Sequence, residues 1–358
     1  MGGTQTVGHL HLQLETRNVQ AGTDLPGVIH LKLNESVQAR FLCLKFKGKE
    51  HCQWTVSRTE NDAQGNSRTV HDTHRGHCHV VRQKFPIFVF TGGFLQAGDY
   101  SFPFNFRLPP AIPGSFHLEH GSLKAHIRYN LIAMIDGSPL KIEKSKLHIH
   151  VSQQMTDPIY SVANDVQARI TTWCCCDQGE VNLKAYFAKN AYVPGETAEF
   201  VAEINNTASK LDVGGIRGTL YRTLRLRSDG GLTHMTKDTV SRSEARQRIP
   251  SGQALLGEQS LRMTLPITDA TGELQHSTSV RGRFIECIYS IVVHASMEGS
   301  CMCCGQTPEV ERFMVLYPPQ LPVIQPPMVP VGWAPQQMPM MQFEVGQGYE
   351  YAPSAPVA

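Results

Sequence analysis

Two groups of cysteines lie far apart in the sequence and have side chains that could act together. They are Cys174, Cys175 and Cys176 in the middle of the chain, and Cys301, Cys303 and Cys304 nearer its end. If the two segments meet, four thiolates could surround a zinc ion tetrahedrally. Neither group has Cys-x-x-Cys spacing, and adjacent residues on a strand point to opposite faces. We therefore expect free, reduced thiols without structural zinc, and palmitoylation of exposed cysteines is a second functional alternative.

A histidine-rich run from His71 to His79 is a second set of ligand-type side chains. On a strand, His77 and His79 would share one face, which suits metal chelation. Such a run is more often a solvated hairpin, and that is the interpretation we favour. His148 and His150 fit the polar face of a strand. No metal site is predicted from either pair.

Sequence motifs for catalysis are lacking. The chain contains no Gly-x-Ser-x-Gly elbow, no Gly-rich phosphate loop before a helix, and no His-Glu-x-x-His. Its cysteines and histidines show no local nucleophile-and-base signature. We predict that the protein is not an enzyme and uses no cofactor.

Composition points to a globular protein of two domains and a tail. The chain has 358 residues and a formal charge of +2, which gives no electrostatic reason to expect nucleic acid. No stretch approaches the ~18 apolar residues of a membrane-spanning helix, and the first residues do not form a secretory signal. Ten cysteines in such a chain favour reduced thiols in the cytosol.

Short strands dominate the hydrophobic pattern. Apolar and polar residues alternate over 28–33, 41–46 and 123–133, the period of a half-buried strand. Turn clusters rich in Gly, Pro, Asn and Asp separate these segments. The pattern predicts an all-β protein of antiparallel, immunoglobulin-like sandwiches.

An internal repeat divides the chain into two copies of one unit. The landmarks are Pro26 with Pro194, Pro109 with Pro266, and Tyr129 with Tyr289, at offsets of 168, 157 and 160 residues. The predicted organisation is a sandwich over 5–152, a connector over 153–177, a second sandwich over 178–317, and a tail over 318–358. The tail is rich in Pro, Gln and Met, which predicts disorder.

At several of these segments the chain resembles the arrestin family, specifically the arrestin-domain-containing proteins or α-arrestins. The segments are 95–109, 112–116 and the strand around Tyr129 in the first copy, and 174–183, 192–196 and 202–207 in the second. The resemblance covers roughly residues 5–317. It implies two sandwiches, no cofactor, and an adaptor that couples membrane-protein cargo to ubiquitin ligases or sorting machinery.

The resemblance also implies a cytoplasmic protein peripheral to the plasma membrane and endosomes. Family members of this kind carry Pro-Pro-x-Tyr motifs that recruit HECT ubiquitin ligases, and this tail has none. Direct recruitment of those ligases is therefore in doubt. Two other functions are considered: a retromer-type arrestin-like coat subunit, and a thiol- or metal-responsive sensor on the same scaffold.

Two short motifs in the tail could bind partners. Pro353, Ser354, Ala355 and Pro356 form the Pro-Ser/Thr-Ala-Pro tetrapeptide that the ubiquitin-E2-variant domain of the ESCRT machinery reads. Leu316, Tyr317, Pro318 and Leu321 match the Leu-Tyr-Pro-x-x-Leu motif read by ALIX-type adaptors. Proline-rich peptides are already extended, so docking costs less ordering entropy. The alternatives are a chance match in a Pro/Ala-rich tail, and a Leu316–Tyr317 pair that ends the last strand.

Two features could place the protein at a membrane. Gly2 with Thr6 matches the N-myristoylation pattern, although one acyl chain binds a membrane only marginally. Seven arginines make the middle of the second copy basic: Arg217, Arg222, Arg225, Arg227, Arg242, Arg246 and Arg248. They could contact acidic headgroups or phosphorylated cargo. A solvated strand face is the alternative that we favour.

Overall fold

The computed structural model describes residues 6–61, 67–138, 140–153, 158–173, 176–299, 306, 308–319 and 329–340. This part of the chain contains strands and three 3-10 turns but no α-helix. It therefore has no helix long and apolar enough to cross a bilayer.

The first copy of the repeat forms twelve strands. They are β1 (Thr6–Leu14), β2 (Asn18–Gln20), β3 (Asp24–Leu33), β4 (Val37–Gln38), β5 (Phe41–Asn61), β6 (Ser67–Val89), β7 (Phe94–Leu95), β8 (Gly98–Arg107), β9 (Phe116–His120), β10 (Leu123–Asp136), β11 (Lys141–Glu143) and β12 (Ser145–Ser152). A 3-10 turn covers Thr91–Gly93.

The second copy forms eleven strands, and the tail adds one more. They are β13 (Val162–Thr172), β14 (Cys176–Phe187), β15 (Ala191–Tyr192), β16 (Thr197–Ser209), β17 (Val213–Arg227), β18 (Thr233–Ala245), β19 (Ala254–Leu255), β20 (Leu261–Pro266), β21 (Val280–Arg281), β22 (Ile285–Met297), β23 (Glu309–Leu316) and β24 (Gln336–Gln337). Two 3-10 turns cover Gly257–Gln259 and Glu273–Gln275.

Sheet topology confirms the two tandem sandwiches. One sheet of the first sandwich has the order β2-β12-β10-β5-β6, and the second sandwich has the matching order β15-β23-β22-β17-β18. The opposing sheets are β11-β1-β3-β8-β24 in the first sandwich and β13-β14-β16-β19 in the second, where β20 also pairs with β16. The main ladders of both sandwiches are antiparallel.

Strand β10 illustrates why these sequences form half-buried sheets. Its alternate residues from Ala125 to Ala133 are buried, and Lys124 and Arg128, on the opposite face of the strand, are exposed. A period of two sends one set of side chains into the core and the other to solvent. Burying the apolar set is what stabilises the sandwich.

Two tyrosines occupy equivalent places in the two cores. The Tyr129 hydroxyl donates to the backbone carbonyl of Pro113 at 2.6 Å, and the Tyr289 hydroxyl donates to that of Ser277 at 2.5 Å. Both rings are almost fully buried. Because a buried hydroxyl needs a partner, each tyrosine fixes the loop that supplies its acceptor.

The structure differs from the expected domain boundaries at the connector. Most of the described part of 153–177 forms β13, which pairs along its length with β14 and belongs to the second sandwich. Ala168 and Ile170 of β13 are buried, while intervening residues such as Arg169 are exposed. Polar residues outnumber apolar ones in β13, because one face of the strand is solvated. For this reason the hydrophobic pattern did not predict the strand.

Candidate functional site: the domain junction and the tail contact

One buried carboxylate joins the two sandwiches. Glu50 of β5 is 1% exposed. Its Oε1 accepts hydrogen bonds from the backbone N–H groups of Phe284 and Ile285, both at 2.7 Å, and its Oε2 accepts one from Arg283 at 3.0 Å. A carboxylate is stable away from water only when such donors satisfy it. Glu50 therefore makes its part of the junction specific and costly to open.

Polar and aromatic contacts surround this carboxylate at the junction. The backbone N–H of Asp229 donates to the Arg75 carbonyl at 2.8 Å, and its carboxylate lies 3.0 Å from His77 Nδ1. The rings of Trp54 and His234 stack with centroids 5.6 Å apart. The long β5–β6 hairpin of the first sandwich thus packs against β17 and β18 of the second.

Two glycines permit the close approach of the sandwiches. A Cβ on Gly76 would collide with the backbone carbonyl of Arg227, and a Cβ on Gly282 would collide with the Glu50 carboxylate. A side chain at Gly76 would require the backbone at Arg227 to shift, and one at Gly282 would displace the Glu50 carboxylate. The glycines and Glu50 form one steric and hydrogen-bonding unit.

The junction also protects two thiols. Burial, followed by the nearby charge of Glu50, raises the pKa of Cys52 and of Cys78 to about 12. Burial likewise raises the pKa of Cys287, in the second core, to about 12. Thiols with these pKa values are protonated at neutral pH, which makes them poor nucleophiles.

The sequence contains a signal for Glu50 that no motif describes. The even-numbered residues of β5 from Leu42 to Trp54 point inward, and Glu50 falls in that series. An acidic residue in the buried phase of an alternating strand must have a partner. Its partner is a set of backbone amides, which carry no sequence signature.

The tail makes the second notable contact. Gln336 and Gln337 form β24, which pairs in parallel with Tyr100 and Ser101 at the edge of β8, and Met338 N–H donates to the Ser101 carbonyl at 2.7 Å. This finding differs from the expectation of a tail without structure over 318–358. An edge strand offers unpaired backbone groups, and even a proline-rich segment can satisfy them over a few residues.

Side chains reinforce the tail contact. The Ala334 N–H donates to Asp99 Oδ2 at 3.1 Å, and Lys32 Nζ lies 5.8 Å from the centre of the Trp333 ring. Cation–π attraction at that distance is modest. Backbone pairing is therefore the main interaction between 329–340 and the first sandwich.

The predicted cysteine groups are only partly described. Cys176 begins β14, is exposed and makes no disulfide. The other five cysteines of the two groups lie outside the described residues. Gln306, which follows the second group, lies beside β13, where its Oε1 accepts from the Arg169 N–H at 2.9 Å. The zinc hypothesis stays untested for these residues.

The histidine pairs lie on strand faces, as expected. His77 and His79 are both exposed on β6, and His77 contacts Asp229. His148 is exposed on β12. Over the part of the chain that the structure describes, no three His, Cys, Asp or Glu side chains form a group that could hold a metal ion.

The two tail motifs and the myristoylation pattern have different outcomes. Leu316 is 1% exposed and ends β23, and its N–H donates to Ser279 Oγ at 2.9 Å. Tyr317 and Pro318 line a cleft of about 620 Å³ between the sandwiches. Leu316 is therefore part of the core, which favours the last-strand alternative. Leu321, the tetrapeptide Pro353–Pro356 and Gly2 lie outside the described residues.

Ion pairs neutralise most of the arginines of the second sandwich. Five of the seven have a carboxylate within 4 Å. The N···O pairs are Arg217–Glu244 (3.6 Å), Arg222–Asp238 (3.6 Å), Arg225–Glu286 (2.8 Å), Arg246–Glu244 (3.7 Å) and Arg248–Asp212 (2.7 Å). This surface is a mixed-charge strand face, in agreement with the solvated alternative.

Comparison with known families assigns both sandwiches. Residues 11–157 match the family described as "Arrestin (or S-antigen), N-terminal domain", and residues 177–321 match "Arrestin (or S-antigen), C-terminal domain". The two matches follow the two halves of the repeat.

Curated relatives agree with this assignment. The chain is 26% identical over 204 residues to human (Homo sapiens) arrestin domain-containing protein 5, covering 55% of this chain and 56% of that protein. It is 28% identical over 207 residues to arrestin domain-containing protein A of Dictyostelium discoideum, covering 56% and 35%. It is 24% identical over 227 residues to arrestin domain-containing protein 17 of Caenorhabditis elegans, covering 60% and 51%. The matches thus span about half or less of these relatives. The chain belongs to the arrestin family, as a protein with both arrestin domains.

Proposed function

We propose that this chain is a non-enzymatic adaptor that binds membrane-protein cargo on its folded body and recruits sorting components through its tail. The observation that carries the proposal is that the chain consists of one folded body and a tail attached to it. Glu50 joins the two sandwiches into one body, and the tail is fixed to that body at β24 and continues beyond it. An adaptor needs these two parts, a rigid binding surface and a segment that a second partner can reach.

The arrestin family consists of adaptors of this general kind. This protein would be located in the cytoplasm, at the cytoplasmic surface of the plasma membrane and endosomes. Cargo would meet the loops and open sheet faces of the body, since rigid sheets commonly present binding residues in this way.

The tetrapeptide Pro353-Ser354-Ala355-Pro356 is the proposed recruiting element for ESCRT components. In the sequence it follows segment 329–340, which β24 attaches to the first sandwich. The attachment therefore lies N-terminal to the tetrapeptide and does not include it. A proline-rich peptide loses little conformational entropy when an extended groove binds it. The Leu316 segment is a weaker candidate because its first residue is buried.

Binding of full-length protein to an isolated ubiquitin-E2-variant domain tests the recruiting element. Changing Pro353 and Pro356 to Ala should abolish binding in calorimetry and leave the thermal melting of the sandwiches unchanged. A matched control changes Pro326 and Pro327 to Ala in the same tail and should bind like wild type. Equal binding by wild type and the Pro353/Pro356 variant, or no binding by either at millimolar concentration, would refute the role of the tetrapeptide.

A further inference from the structure

Seven cationic side chains lie on the outer face of the sheet β12-β10-β5-β6. Together they are called the basic face: Lys45, Lys47 and Lys49 of β5, Arg82 and Lys84 of β6, Arg128 of β10, and Lys146 of β12. The strand register brings these residues together. Lys47 lies opposite Arg82 on one side and beside Asn130 on the other, and Lys49 lies opposite His79 and beside Arg128.

Few carboxylates compensate the charge of the basic face. Lys84 forms an ion pair with Asp136 at 2.8 Å, at one end of the face. Among the described residues, no acidic side chain lies within 4 Å of the charged groups of Lys45, Lys47, Lys49, Arg82, Arg128 or Lys146. Glu119 and Asp229 lie at the far margin, toward Lys124 and His77.

Neighbouring groups respond to this positive field. Slight burial, then the charges of Lys49, Lys45, Arg82 and Lys146, lowers the pKa of Lys47. Burial, then the charges of Lys47, Lys49 and Arg82, lowers the pKa of His79. Like charges held this close disfavour their own protonated forms. The fold therefore maintains a repulsive cluster, and an external anion would relieve it.

The equivalent sheet of the second sandwich shows that this arrangement is not a requirement of the fold. On β17 and β18 the cations Arg217, Arg225 and Lys237 each have a carboxylate partner, at N···O distances of 3.6, 2.8 and 3.2 Å. These three residues with their acidic partners are called the paired face. Both faces are exposed parts of homologous sheets. In the described part of the chain, six of the seven cations of the basic face have no carboxylate within 4 Å, whereas among the seven arginines of the second sandwich named above only Arg227 and Arg242 have none.

The layout of the basic face selects among polyanions. Adjacent strands are about 4.8 Å apart and same-face residues about 6.7 Å apart, so four strands spread the cations over roughly 15 by 13 Å. A linear acidic peptide would meet one row of this array, whereas the charges of an anionic bilayer are two-dimensional and meet every row. Among the cations of the basic face lies the imidazole of His79 but no Phe, Tyr or Trp ring on which a nucleic-acid base could stack. The described tail segment 329–340 does not cover the basic face, because β24 pairs with the other sheet.

We propose that the basic face binds the surface of an anionic phospholipid bilayer. The interaction is electrostatic, with each lysine or arginine attracted by the negative surface potential of phosphatidylserine and related lipids. Binding would orient the first sandwich with its β12-β10-β5-β6 sheet toward the membrane. This proposal does not depend on the tail motif or on the identity of a cargo.

Flotation of the full-length protein with vesicles tests the proposal. The vesicles are phosphatidylcholine alone, or phosphatidylcholine with about one third phosphatidylserine. The variant Lys47→Gln/Lys49→Gln/Arg82→Gln removes three charges from the basic face. The control Arg217→Gln/Arg225→Gln/Lys237→Gln removes three charges from the paired face, so the two variants have the same net charge. Thermal melting of each variant checks that it is folded.

Wild type and the paired-face variant should float with anionic vesicles and not with neutral ones, and binding should weaken as salt is added. The basic-face variant should bind on the order of 100-fold more weakly. Equal loss in both variants would show attraction by net charge and overturn the proposal. Failure of the wild-type protein to float with anionic vesicles would also overturn the proposal. Binding of a polyglutamate or phosphorylated peptide through Lys47, Lys49 and Arg82, without binding to vesicles, would overturn it as well.

Discussion

The two sandwiches are copies of one architecture that differ in how they treat surface charge. In the first, the cations of the basic face lie opposite one another across β5 and β6. In the second, the corresponding strands alternate cations with carboxylates, as in the pair Arg225–Glu286 at 2.8 Å. The core landmarks, by contrast, are retained, since Tyr129 and Tyr289 make the same hydrogen bond. Folding constrains the inward residues of a sheet, and binding can shape the outward ones.

A second lesson of the comparison concerns stability. Exposed ion pairs contribute little to the free energy of unfolding, so neither face holds the molecule together. The buried carboxylate of Glu50, which the first sandwich supplies and backbone N–H groups of the second sandwich satisfy, belongs to a different energetic class. The experiments below separate these contributions, beginning with the largest.

Removal of the Glu50 carboxylate should have the largest effect. Glu50→Ala leaves the backbone N–H groups of Arg283, Phe284 and Ile285 without acceptors in a buried site. We expect the free energy of unfolding to fall by about 3 to 5 kcal/mol, measured by urea denaturation. The control Glu119→Ala removes an exposed carboxylate from β9 and should change stability by less than about 0.5 kcal/mol. Equal effects of the two variants would show that Glu50 does not join the domains.

The two buried tyrosines should show matched, intermediate effects. Tyr129→Phe and Tyr289→Phe each remove one hydroxyl that satisfies a buried carbonyl. Each should lower the free energy of unfolding by about 1 to 2 kcal/mol in the same denaturation assay. A neutral substitution in either copy would contradict the structural equivalence of the two cores.

Acid should destabilise the fold through half-buried histidines. Burial is the main cause that lowers the pKa of His126, to about 4, and it also lowers the pKa values of His150 and His294. Between the ordinary histidine pKa and the lowered one, the unfolded chain binds more protons than the folded chain. Stability is therefore fully present above about pH 6.5 and is lost as pH falls toward 4.

His126→Gln isolates one of these groups. It should reduce the loss of stability between pH 7 and pH 5 by about 1 kcal/mol, a value discounted for partial solvent exposure. His71→Gln on the exposed hairpin is the matched control and should leave the slope unchanged. A wild-type protein whose melting temperature is constant from pH 7 to pH 5 would contradict the assignment.

The two faces should respond oppositely and weakly to neutralisation. At low salt, Lys47→Gln/Lys49→Gln/Arg82→Gln relieves repulsion and should raise stability by about 0.5 kcal/mol, while Arg217→Gln/Arg225→Gln/Lys237→Gln breaks ion pairs and should lower it by a similar amount. Added salt should shrink both changes. Changes of the same sign in melting temperature would mean that the charge environments of the faces do not differ as described.

The sequence predicted the fold well because period-two alternation and the repeated Pro and Tyr landmarks are local signals. It also predicted that His77 and His79 share a face and that Leu316 could end the last strand. It did not predict β13, whose solvated face is mostly polar, or β24, whose pairing is made by the backbone. The basic face was not predicted because, although Lys45, Lys47 and Lys49 alternate along β5, its other cations come from strands far apart in sequence. Only the register of β5, β6, β10 and β12 brings them together.

Site-specific photo-crosslinking to lipid would test the central difference between the faces most directly. His79 lies opposite Lys49 on the basic face, and Lys237 lies opposite Thr223 on the paired face, so the two exposed positions correspond in the repeat. Full-length protein with benzoylphenylalanine at one of these positions is bound to phosphatidylserine-containing vesicles and irradiated. We predict a lipid adduct at position 79 and none at position 237. Adducts at both positions, or at 237 alone, would contradict the assignment of the basic face as the membrane-binding surface.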